Sequence, residues 1–202
     1  MYTRSFVAAV VLAGLPIAGF AQQLPADCSK AAAPKQPLEV SVLGAKFTPK
    51  SVRLHRGNDI TQGEGKSAEA FDGYRLTISS DVDDFSPPLE TSISVLVKKG
   101  QSLDGKVFRK LAIKEIGKQP LAGEGLPEVQ GWGMKNRPTG ASFSSVEYLA
   151  SMRLEFGKRE GNTISGTVYL CVAKGQTSMF EKTPTKEDSY AVGTFKARVD
   201  LK

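Results

Sequence analysis

The chain has 202 residues, with 27 lysines and arginines against 21 acids and a single histidine, a formal excess of six positive charges. The basic residues are dispersed among acids, which reads as a solvated surface and argues against nucleic acid, whose readers concentrate a basic stripe or an aromatic platform. Two cysteines and one histidine leave too few soft ligands for a structural zinc centre or a blue copper site.

Residues 1–23, MYTRSFVAAVVLAGLPIAGFAQQ, carry Arg4 ahead of the apolar run Phe6 to Leu15, then Gly19 and Ala21 before Gln22. A positive start, a short apolar stretch and small residues at the cleavage positions are the parts of a secretory signal, and the run is too short to cross a bilayer. Residues 1–21 are therefore expected to be a signal peptide, and the mature chain is expected in a periplasmic or secreted space. Asp27 stands before Cys28 where a lipoprotein signal wants a small residue, so lipidation is not expected.

The mature chain holds two cysteines, Cys28 and Cys171. In an oxidising compartment an even count of two reads as one disulfide, here closing a loop that spans most of the chain. Residues 22–37 are rich in alanine, proline and lysine and read as an extended leader. Residues 38–202 fit one domain, expected to be an all-β antiparallel sandwich, Ig-like or similar, of about seven to nine strands.

Strand character falls at residues 38–43, 51–55, 74–79, 91–97, 106–113, 148–156, 164–172 and 192–201, separated by turn residues. FTPKSVRLHRGN, residues 47–58, resembles the opening strand of cupredoxins over about a dozen residues. That resemblance implies sandwich geometry alone, because the histidines a copper site needs are missing. GEGKS, residues 63–67, shares the last letters of a phosphate-binding loop but lacks its first glycine and its strand-loop-helix setting.

DVDDFSPPLE, residues 81–90, clusters Asp81, Asp83 and Asp84, hard oxygen donors of the kind calcium uses. Ser86 and Ser92 stand where an EF-hand needs glycine and glutamate, and Pro87-Pro88 supports a turn. Residues 117–145 are glycine-rich and read as a loop too long for a simple connection, of the kind that is often functional or mobile, and it contains Trp132, the one tryptophan. If exposed, that indole could stack on a sugar or anchor a partner; the alternative is an indole folded back to plug one end of the sandwich. Ser144 to Glu147 has the spacing of a capping box, but the period-2 run after it leaves room for no more than one helical turn.

The C-terminal third alternates most cleanly. Met152, Leu154 and Phe156, then Ile164, Val168, Leu170 and Val172, then Phe195, Ala197 and Val199, fall on one face of three strands. With GKREGN, residues 157–162, as the first turn, these form a three-strand meander. Cys171 and Tyr169 point the other way, consistent with a bonded rather than a reactive thiol.

His55 could act as a base oriented by Asp59 or Asp72, but no nucleophile motif accompanies it. The expected function is therefore a non-catalytic binding or structural module of the cell envelope, without cofactor or metal. Its partner would be a protein or glycan, met through Trp132 and the Asp81, Asp83, Asp84 loop. The alternatives from other classes are an inhibitor or immunity-like protein that blocks a secreted partner, and a small hydrolase.

Overall fold

The computed structural model describes residues 35–62, 65, 68–82, 87–110, 129–145, 151–172, 174 and 187–201. Residues 1–21, expected to be a signal peptide, Cys28, Asp83 and Asp84 lie outside the described residues. The protein is all-β, with no α-helix among those residues.

Twelve strands follow in chain order: β1 (Glu39–Val42), β2 (Ala45–Phe47), β3 (Ser51–Arg56), β4 (Ile60–Gln62), β5 (Glu69–Ser79) and β6 (Leu89–Lys98). They continue with β7 (Val107–Lys110), β8 (Val129–Asn136), β9 (Ala141–Ser145), β10 (Ser151–Glu160), β11 (Thr163–Val172) and β12 (Ser189–Asp200). All belong to one hydrogen-bonded sheet in the order β7-β10-β11-β12-β3-β5-β6-β8-β9, with β1, β2 and β4 attached beside that path. The strand number exceeds the seven to nine expected. The sheet is curled and mixed, because β12 pairs with β3 in parallel while the other strand pairs run antiparallel.

The expected meander is present. Met152 faces Leu170 and Leu154 faces Val168 across β10 and β11, while Leu170 faces Ala191 and Ile164 faces Ala197 across β11 and β12. Strict alternation fixes this register, since a one-residue slip would turn every apolar side chain to solvent. The turn is tighter than GKREGN suggested. β10 runs on to Glu160 through a bulge between Phe156 and Arg159, and the reversal is made at Gly161 (φ 59°) and Asn162.

The core lies on the concave face, where Leu54, Leu76, Ile78, Ile93, Met134, Met152, Leu154 and Leu170 are fully enclosed. One end is filled by an aromatic ladder. Phe108 meets Phe156 edge to face at 6.0 Å, and Phe156 meets Phe195 at 5.9 Å. Phe156 and Phe195 sit on strands either side of β11, opposite Gly166, whose missing side chain is the space their rings occupy. A Cβ there would lie 2.5 Å from the Phe195 ring and 2.2 Å from the Glu155 carbonyl oxygen.

β12 organises the sheet. One edge pairs with β11 from Ser189 to Arg198; the other pairs with β1 from Tyr190 to Val192 and with β3 from Arg198 to Asp200. Between these stretches Gly193 (φ 132°) lets residues 36–38 approach, with Gln36 and Pro37 oxygens within 2.7 Å of where its Cβ would stand. The Gln36 carbonyl accepts from both the N–H and the hydroxyl of Thr194, at 2.8 and 3.0 Å.

Candidate functional site

The structure redistributes the residues singled out in the sequence. Trp132 is 3% exposed and joins the core from β8, so its indole is not a surface platform. The physical reason is alternation hidden by glycine: Trp132 and Met134 turn inward, while Gly131 and Gly133 occupy the outward positions opposite Ser94 and Ser92. Part of the expected long loop is thus a strand. It turns through Arg137–Thr139, capped by Asn136 and closed by Gly140 (φ 70°), into β9, which contains Ser144 and Ser145. Arg137 pins that turn by donating from its backbone N–H to the Pro88 carbonyl and from its side chain to that of Pro87, both at 2.9 Å.

Asp81 turns back on its own backbone, its carboxylate accepting from the Val82 N–H at 2.7 Å, as a turn residue does. Among the described residues no group of three metal-ligating side chains occurs. Cys171 does face away from the core, but it is buried rather than polar-faced. With Tyr169 and Val192 it forms a second small cluster, backed by Tyr190, on the convex side of β11 and β12. Burial raises the Tyr169 phenol above its ordinary value.

Asp59 and Asp72 do not orient His55; both bind Arg56. The guanidinium lies 2.7 Å from Asp72 and 3.2 Å from Asp59, with its carbon 5.3 Å from the centre of the Tyr74 ring. Asp59 also accepts from the Gly73 N–H at 3.1 Å and Asp72 from the Gly100 N–H at 3.3 Å. This clamp ties the chain after β3 onto β5, where Gly73 leaves room for Asn58; a Cβ would lie 2.1 Å from the Asn58 carbonyl oxygen. The Gly73 hydrogen bond, helped by Arg56, holds the Asp59 carboxyl below its usual range, and the Asp72 hydrogen bond raises Arg56 further.

What the fold assembles is the convex face of β12, β3, β5 and β6. It carries two open depressions. The first, about 320 Å³, is lined by His55, Arg75, Thr77, Ser79 and Glu90 among others. The second, about 580 Å³, lies over β10 to β12 and is lined by Glu155, Thr167 and Lys196 together with Phe156, Gly166 and Phe195 of the aromatic ladder. Between them a cluster of cations crosses three strands. Arg198 on β12 is the direct partner of Arg53 on β3, and Arg75 on β5 pairs with His55, one outward position further along β3. Lys196 precedes Arg198 on the same face of β12.

Among the described residues the carboxylates of this face are Glu69, paired with Lys98 at 2.8 Å, Glu90, Glu155 and Asp200. Glu155 is bound to Arg153 and receives the Thr167 hydroxyl at 3.3 Å, and Glu90 lies 3.6 Å from Lys135. Asp200 stands opposite His55. Arg53 donates to the Ser51 hydroxyl and the Val82 carbonyl at 3.3 and 3.2 Å, and Arg75 to the Ser94 hydroxyl at 3.4 Å. The charge that looks dispersed along the chain is therefore brought together by the parallel pairing of β12 with β3. Composition could not reveal that, because the pairing is non-local.

The chain matches no family model, no curated protein and no solved structure.

Proposed function

We propose that the protein is an exported, non-catalytic binding module of the cell envelope that presents the convex face of β12, β3, β5 and β6 to its ligand. The observation that carries this reading is the pair of open depressions flanking Lys196, Arg198, Arg53 and Arg75. The large apolar side chains left exposed among the described residues are Val82 and Val107, which favours recognition through polar groups over an apolar patch. The sequence of residues 1–21 supports export, and the mature protein is read as periplasmic or secreted.

The same reading joins Cys28 to Cys171. Its support is that no free cysteine occurs among the described residues, and that Gln36, eight positions after Cys28, is bonded to β12 beside the buried Cys171 cluster. Eight residues can reach up to about 27 Å, ample for the span.

The test is expression of the full chain with its signal, followed by fractionation and co-sedimentation with isolated envelope. The expected outcome is a processed protein in the extracytoplasmic fraction, with no alkylatable thiol before reduction, that sediments with envelope material. The double variant R75Q/R198Q should stay folded and lose sedimentation. Retention in the cytoplasm, or equal sedimentation of variant and parent, overturns the reading.

A further inference from the structure

Resting on that reading, we infer that the smaller depression binds one acidic sugar, the end unit of a glycan, with its carboxylate on Arg75 and its hydroxyls on Asn58, Thr77 and Glu90. The site begins with a crossing of the chain. The Gly57 N–H donates to the Gly73 carbonyl at 2.8 Å, and Asn58 then passes over the outer face of β5, where Gly73 has no side chain. That crossing walls one side of the depression, whose floor is His55 on β3 with Arg75 and Thr77 on β5. Glu90 on β6 borders the other end, beside its strand partner Ser79.

The polar groups that converge there are not used by the fold. Among the described residues, the side chains of His55, Asn58 and Thr77 make no hydrogen bond, and the one made by Arg75 is a long 3.4 Å contact with the Ser94 hydroxyl. Ser79 is buried and takes no part. The acids nearby are engaged or set back: Asp59 and Asp72 hold Arg56, Glu69 holds Lys98 at 2.8 Å, and Asp200 lies across His55 from Arg75. Arg75 therefore carries no ion pair among the described residues.

A guanidinium without a counter-ion, in a small cup, defines the anion. Its planar fork receives both oxygens of a carboxylate. Glu90 faces the same space, which disfavours a doubly charged phosphate and suits a ligand with one negative charge and hydroxyls to donate. The Glu90 carboxylate, 3.6 Å from Lys135, keeps lone pairs to accept from those hydroxyls, while Thr77 and Asn58 can both give and accept. No apolar side chain lines the depression, so a polar ring fits it better than a hydrocarbon. Its volume, about 320 Å³, is at the lower end for small-molecule sites and holds one sugar, so a glycan enters by its end and does not lie along the face.

The test is titration of the purified protein with methyl galacturonoside, an acidic sugar blocked as an end unit is, against methyl galactoside, serine and inorganic phosphate. The galacturonoside should bind in the millimolar range, as so small and open a contact allows, and the uncharged galactoside about tenfold more weakly. R75Q should lose about tenfold in affinity and R75K less, because lysine keeps the charge without the fork. N58A and T77V should each cost about threefold. The control K46Q, exposed on β2 and away from the depression, should bind like the parent. Urea denaturation of each variant separates lost binding from lost folding. Equal binding of the galactoside, tighter binding of serine or phosphate, or an R75Q variant that binds like the parent overturns the proposal. If envelope sedimentation depends on Arg75 and Arg198 while the galacturonoside fails to bind, the acidic-sugar assignment falls and the binding-module reading stands.

Discussion

Gly166 is the residue on which the C-terminal strands lean hardest, although it contributes no side chain. Its vacancy lets Phe156 and Phe195 meet across β11, and the Phe108 ring continues the contact onto β7. A methyl group there meets the Glu155 carbonyl and the Phe195 ring at once, and the carbonyl belongs to a paired backbone that cannot step aside. Gly166→Ala is therefore expected to destabilise the protein by about 1–3 kcal/mol, the usual range for overpacking. A shift in urea midpoint without change of slope would register it; an unchanged midpoint would show that the ladder can move. In the sequence Gly166 is a gap in the apolar series Ile164, Val168, Leu170 and Val172. Its role is invisible there, because the rings that use the space come from strands on both sides.

Among the elements, the divide between what could and could not be read follows local signal. β10, β11 and β12 are legible because apolar and polar residues alternate along most of each strand. β8 was not, since two of its outward positions are glycines and the GWGM run looks like a turn. β2 was missed for a similar reason. The β1–β2 hairpin reverses at Leu43 (φ 49°) and Gly44 (φ 84°), and leucine is not the residue such a turn advertises. Of the candidate site, His55 and its neighbours in the strand could be seen, whereas the convergence of Arg53 with Arg198 could not.

The clamp between β3 and β5 belongs to this scale and carries a pH dependence. Asp59 has a lowered carboxyl value in the folded protein, so its contribution is complete above the ordinary carboxylate value of about 4. It is lost as pH falls through the lowered value, where the folded carboxylate takes up its proton. The parent should thus lose stability more steeply than Asp59→Asn as pH drops from about 4 to 2. Urea midpoints measured across that range would run parallel if the clamp contributed nothing.

At the scale of the whole molecule, β12 is the hinge of the topology. Among the described residues, the hydrogen-bonded path from β3, β5, β6, β8 and β9 to β7, β10 and β11 passes through Ser189–Asp200 alone. A chain ended at Asp188 should therefore lose its cooperative urea transition, and near-complete retention of that transition would show that the two sets of strands stand independently. The contacts β12 makes are also among the most distant in the chain: Thr194 to Gln36 spans 158 residues and Leu43 to Ser189 spans 146. Such contacts cannot form until nearly all the intervening polypeptide is available, and their closure is intrinsically slow.

The parallel ladder between β3 and β12 thus has a meaning for the life of the chain before it matures. A nascent polypeptide emerging from the ribosome lacks the strand that would zip its two halves together, and the sheet cannot close until residues 189–200 are made. The same late arrival means that a lesion within residues 189–200 would leave β11 and β3 without their shared neighbour, two open strand borders exposed to aggregation and proteolysis.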